Sequence, residues 1–180
     1  ILCTDGSYVK PNNWPCGKTA KAVVFYIDST GEHGWAVSLV SQHPVKWSTE
    51  NVDIPTLQNI THWRDAICEF DGYTNTQKIR NFGDSSKYPA AWAVDFENGF
   101  YLPATGQLNI LYGVMHVVNA SIVIVGGTPF QIYDAVGFRC WSSNEWSATM
   151  AIGVYRDGDV GFTEKNANYN ELFVRGVMSF

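Results

Sequence analysis

An α+β fold is predicted by three features of the sequence. β-Branched and aromatic runs lie near both ends of the 180-residue chain. Apolar residues at helical spacing are confined to its middle, and the last forty or so residues break into short alternating segments around turns. Taken in order, residues 1–21 are turn-rich and form an irregular N-terminal segment. Ala22–Asp28 and Trp35–Val40 then read as two strands of a hairpin, joined by a linker with two glycines. Residues 46–59 are loop, broken by Pro55. From Thr61 onward Trp63, Ala66, Ile67 and Phe70 fall at helical spacing, with Asn59 or Thr61 as cap and Gly72 as stop. Thr76–Asn81 supply one further helical turn. A second helix begins just after Pro103, and its stripe of Leu108, Leu111, Tyr112, Met115 and Val118 is a core face. The Asn119–Phe130 segment has two readings: its β-branched residues favour a strand, whereas a cap at Asn119 and a Gly126-Gly127 stop favour a short helix. Beyond Asp134 the pattern is an irregular C-terminal β-meander.

Composition narrows the function. The length suits a single domain over residues 1–180, able to bury roughly 70% of its unfolded surface. The charged fraction is low, at 16%, while seven Trp, nine Tyr and ten Phe make the chain aromatic-rich. A net charge of −5 argues against nucleic acid as partner. No apolar run reaches the ~20 residues of a membrane span, and a chain that opens on Ile1 is expected to be a processed or trimmed product.

The four cysteines (Cys3, Cys16, Cys68, Cys140) and four histidines are too dispersed for a zinc site, so no metal and no cofactor is expected. Cys3 and Cys16 either close a short loop in an oxidising compartment or remain thiols like the other two. Nucleophile elbows, phosphate loops, metalloprotease motifs and dinucleotide fingerprints are all missing, and Asp157–Glu164 reads as a surface turn rather than a calcium loop. No catalytic residue is predicted. Asn59-Ile60-Thr61 and Asn119-Ala120-Ser121 match the N-glycosylation pattern, which carries meaning only in a eukaryotic secreted protein.

The tail has a recognisable frame: Trp141-Ser142-Ser143, Glu145, Ala151, Asp157-Gly158, Lys165, and finally Val174-Arg175, Val177 and Phe180. This frame, with the upstream segments Gly31–Val37 and Tyr88–Leu108, resembles bacterial domains of C-type-lectin-like fold, of the Lcl-like kind. It is most similar to the variable proteins of diversity-generating retroelements. The resemblance runs from about Ala22 to Phe180. It implies a C-type-lectin-like fold with two helices and paired terminal strands, and a variable-type ligand-binding region over residues 138–180. It also implies a bacterial or phage domain at the cell surface or secreted. Within the frame, Trp141 buries its ring, the two serines and Glu145 satisfy nearby backbone, and Arg175 clamps a carboxylate such as Glu145. Three positions depart from the pattern: Cys140 stands where Tyr is common, Arg156 where an apolar strand residue is expected, and Ala104 where a capping Ser or Thr belongs.

Between the frame positions lie the residues expected to contact a ligand: Asn144, Trp146, Ser147, Thr149, Met150, Tyr155, Phe162, Thr163, Asn166, Asn168, Tyr169 and Glu171. They mix rigid aromatics with small hydrogen-bonding groups, as antibody paratopes do. Trp146, Tyr155 and Phe162 have a competing assignment as core residues. The expected partner is a protein or a glycan. Calcium-dependent sugar binding is disfavoured, because its E-P-N or Q-P-D and W-N-D motifs are missing. Two alternatives remain: a structural or adhesive surface subunit, and an oxidase of the formylglycine-generating type, for which Cys68 and Cys140 must meet.

Overall fold

Alternation along the chain builds the first sheet. The computed structural model describes residues 1–42, 45–131, 137–167 and 172–180. In it β1 (Leu2–Cys3), β2 (Ala20–Ile27) and β3 (Gly34–Ser38) form an antiparallel meander. The β2–β3 turn is held by Asp28, whose carboxylate accepts the amides of Thr30 and Gly31. Ala22 and Ala36 face one side of this sheet, while Val23 and Val37 face the other; all four are buried.

Helices fill the middle of the chain: α1 (Trp63–Ala66), α2 (Gly72–Phe82), α3 (Pro89–Trp92), α4 (Thr105–Gly113) and α5 (Met115–Ile124). A second antiparallel sheet follows, β4 (Cys140–Glu145), β5 (Met150–Val154) and β6 (Val160–Glu164), in sequential order. The chain ends in β7 (Val177–Ser179), which returns to pair with β3. The architecture is mixed α+β, with two antiparallel sheets and five helices among the described residues.

Several expectations need correction. Among the described residues there are five helices rather than two. β1 and β7 share a sheet but occupy its opposite edges, in the order β1-β2-β3-β7, and do not pair with each other. The helix expected through Phe70 is a single turn in which only Ala66 is buried; Trp63 and Phe70 are exposed. Gly72 does not stop that helix but starts the next one, where the Asp71 carboxylate caps the amide of Thr74. A β-carbon at Gly72 would lie 2.7 Å from the Ala104 nitrogen, so glycine is required by the approach of α4. Asn119 is no cap: it lies inside α5, and its side chain exchanges two hydrogen bonds with the Phe130 backbone. The segment is helical as far as Ile124 and stops at Gly126, at φ 76°.

The predicted stripe on α4 and α5 is the core face, though it is not one helix. The axis bends by 78° between them, at Gly113 and Val114. Leu108, Leu111, Met115 and Val118 are nonetheless all buried, with Ile122, against Val23, Phe25 and Val177. Each such burial stabilises by about 1.5–3 kcal/mol. On the sheet's other face Trp47, Ile54, Ile79, Ala90 and Trp141 form a second cluster. The second sheet enters both, through Trp141 and Ala151 on one side and Cys140 and Val154 on the other.

The glycines of α4 separate packing from propensity. An added β-carbon at Gly106 would meet the Glu69 and Ile67 carbonyls at 2.6 Å, whereas Gly113 has nothing within 4 Å. Gly106→Ala is expected to cost about 1–3 kcal/mol in urea unfolding, and Gly113→Ala to be neutral or to stabilise by up to about 1 kcal/mol.

Candidate functional site

The strand beneath the predicted binding region is polar and sealed. Ser142, Ser143, Asn144 and Glu145 on β4 are all buried, and each is satisfied by a different part of the chain. The Ser142 carbonyl accepts the Trp47 indole N–H at 2.8 Å, and its hydroxyl donates to the Ile152 carbonyl at 2.8 Å. The Ser143 amide donates to the Pro103 carbonyl, and its hydroxyl accepts from Asn75. Trp141 buries its ring as expected and donates its indole N–H to the Val45 carbonyl.

Asn144 corrects the ligand-contact assignment. It is only 2% exposed, and its side-chain oxygen accepts both the amide and the hydroxyl of Thr105, at 2.8 and 2.9 Å. Those donors open α4, where Ala104 has no side chain to cap them. The missing cap is thus supplied from β4, forty residues along the chain. Gln107 completes the helix start by accepting from the Ala104 amide.

Glu145 is paired, but not with Arg175. Its carboxylate meets the Lys165 ammonium, and both side chains are fully buried. Lys165 also donates to the Val52 carbonyl, and the Ile54 amide points at the second carboxylate oxygen. Burial pushes the Glu145 carboxyl up to about 7, against the opposing pull of Lys165. Burial likewise pushes Lys165 down. Arg175 instead ties the end of β3 to the segment after α5, donating to the Ser38 and Thr128 carbonyls and the Ser41 hydroxyl. Its guanidinium lies over Phe130, 4.4 Å from the ring centre.

Above this strand the surface opens. Trp146 and Phe162 stack at 4.3 Å, with Phe162 51% exposed and Trp146 half-buried. Ser147 accepts the Thr149 and Met150 amides in the β4–β5 turn. Thr149 is exposed and Met150 half-buried. The Tyr155 hydroxyl bonds that of Thr163, and the Tyr155 ring covers Gly153 and Gly161. Asn166 is half-buried just after β6, while Asn168, Tyr169 and Glu171 lie outside the described residues. The Asp157-Gly158 turn has both residues at positive φ, 67° and 78°, as a tight hairpin connection requires. Arg156 belongs to that turn rather than to a strand, and pairs with Asp157.

A groove of about 890 Å³ brings part of this set together. Tyr155, Val160, Phe162 and Thr163 line one side, and Trp63, Ile67 and Asn109 the other. Trp63 and Ile67 are not among the expected contacts, since helical spacing alone places a residue on a helix. The signal that could have found Trp63 was local: it stands among Thr61, His62, Arg64 and Asp65. No three potential metal ligands converge among the described residues. Cys140 is sealed in the core, its thiol pushed up to about 12 by burial, whereas Cys68 is exposed; Cys3 and Cys16 are both unbonded.

No known family model matches this chain, and no curated protein does. Among solved structures it is similar to a fimbrial protein from Bacteroides ovatus, with a TM-score of 0.70 at 14% identity. The match covers 99% of this chain and 47% of the fimbrial chain, so the present chain spans about half of that protein. At that identity the likeness concerns the fold alone.

The pair beneath the site makes a testable contribution. Removing one member strands a buried charge, whereas replacing both with apolar residues removes two desolvation penalties. Lys165→Met is expected to cost about 3–5 kcal/mol, and Glu145→Met/Lys165→Met to equal or exceed the parent in urea unfolding. Because the folded Glu145 pKa is raised above its unfolded value, its contribution favours folding below about 4.5 and is lost as pH rises through about 7. Parent stability should therefore carry a component falling between those values, and the double variant should lack it.

Proposed function

We propose that this chain is a ligand-binding, adhesin-like module of a bacterial or phage surface, with a C-type-lectin-like fold related to the variable proteins of diversity-generating retroelements. Part of the tail frame that carries this resemblance, Trp141-Ser142-Ser143, Glu145, Ala151 and Lys165, lies on the buried polar strand and its partners. One observation carries the binding reading: the Trp146–Phe162 stack is held half in water beside an open groove of about 890 Å³. Large aromatic faces left partly exposed on a satisfied scaffold lose little conformational entropy when a partner covers them. The partner is a protein or glycan, held without metal or cofactor and without a catalytic step.

A structural or adhesive subunit is the second reading. It is favoured by α5, whose outward Val117, Val123 and Ile124 are 72, 58 and 45% exposed, and by the likeness to a fimbrial protein of twice this length. An oxidase relative draws no support from a core Cys140 and a surface Cys68.

The readings separate by mutation. Phe162→Ser with Trp146→Ser should leave unfolding within about 1–2 kcal/mol of the parent, since neither side chain is fully buried. The same pair should lower capture by immobilised protein of extracellular polypeptides and glycans at least tenfold. Trp141→Ala, by contrast, should cost about 3–5 kcal/mol. Capture unchanged by the surface pair, but assembly lost in Val117→Asp, would favour the subunit.

A further inference from the structure

The groove has a property that side chains alone do not describe. Its β6 lining comes from both faces of the strand: Val160 and Phe162 from one, Gly161 and Thr163 from the other. A cavity that touches both faces runs along the strand's edge. Among the described residues β6 pairs with β5 alone, so that edge is the outer one of the sheet.

The ladder shows which groups face outward. Lys165 donates to the Thr149 carbonyl and Tyr155 to the Asp159 carbonyl, marking these as hydrogen-bonded pairs at the two ends of the β5–β6 ladder. With the register Ala151↔Thr163 and Gly153↔Gly161 between them, strict alternation makes Val160, Phe162 and Glu164 the residues whose backbone groups point away from β5. The N–H and C=O groups of Val160 and Phe162 have no partner among the described residues. Other outer strands are covered: β1 is bridged by Tyr8, β7 by Tyr101, and β4 by Asn59 and Phe173. The β6 edge contains no Pro and no Lys, its register runs without a bulge, and its one charged side chain is Glu164 at the end. At about 3.4 Å per residue, its five residues offer an edge roughly 17 Å long.

We propose that the β6 edge accepts an extended polypeptide from another chain as a fourth strand, lying alongside β6 at the mouth of the groove that Trp63 and Ile67 also line. This rests on the binding reading above and names its partner class. The incoming backbone pairs with Val160 and Phe162, while alternate side chains meet the Phe162–Trp146 stack and the Tyr155 side of the sheet. Asp159 and Glu164 flank the edge without an ion pair among the described residues, which favours basic residues at the ends of the ligand.

The probe is the peptide Ac-KKVTVTVKK-NH2, followed by amide hydrogen exchange of the intact protein. In the free protein the Val160 and Phe162 amides should exchange as open groups. Saturating peptide should slow both at least tenfold, and the same peptide N-methylated at its five central residues should bind at least tenfold more weakly. Peptide binding that leaves these amides unprotected, or that tolerates N-methylation, would overturn strand addition, as would no binding at all. In those cases the capture experiment with the Phe162 and Trp146 variants still decides the wider reading by itself. Protection in the free protein that grows with its concentration would identify the occupant as a second copy and would also overturn the proposal.

Discussion

A buried polar strand is the constraint on which the rest of this molecule depends. β4 carries two serines, an asparagine and a glutamate into the interior, where each would cost several kcal/mol if left unpaired. Every one is answered by a remote segment: Trp47, Asn75, Pro103, Thr105, Ile54 and Lys165. Apolar residues in the same strand would bury as much surface, yet tolerate many arrangements of those segments. Directional hydrogen bonds tolerate few. The strand therefore sets where the long loop, the start of α4 and the end of β6 come together.

That arrangement divides labour within one hairpin. Both faces of β5 are buried, Ala151 on one and Ile152 and Val154 on the other, and Lys165 anchors the end of β6. The exposed features, Phe162, Thr149 and the outer edge of β6, carry little of the packing. Changes there alter what the surface presents without disturbing what holds it. A ligand meeting such a surface finds it already ordered, so less of its binding energy is consumed in freezing loops.

Periodicity made the core stripe from Leu108 to Val118 legible, because apolar spacing reports burial directly. It did not reveal the bend at Gly113–Val114, since the same residues stay buried on both sides of it. The meander after residue 138 was legible from its turns. Partner choice was not: Glu145 has two buried cations within the fold, and only tertiary geometry selects Lys165 over Arg175. Asn144 was misassigned for a related reason. A small polar residue in an aromatic-rich tail looks like a surface contact, and the bare helix start it serves lies forty positions upstream. Trp63 was missed because helical spacing marks a helix without showing that it is a single exposed turn.

The last point bears on how the groove keeps its shape. α1 has only four residues and could not persist as an isolated helix. It is held because Ala66 packs on Ile152 and Ile60, and because the Ile60 amide donates to the Glu145 carbonyl. The wall carrying Trp63 and the floor carrying Phe162 are therefore referenced to the same two residue positions, 145 and 152, although about a hundred residues separate them in sequence. A shift of β4 would move both together and preserve the gap. Substitutions at the exposed aromatics change its chemistry alone. A short helix and a strand edge, each weak by itself, thus form one stable opening because a common buried strand positions them.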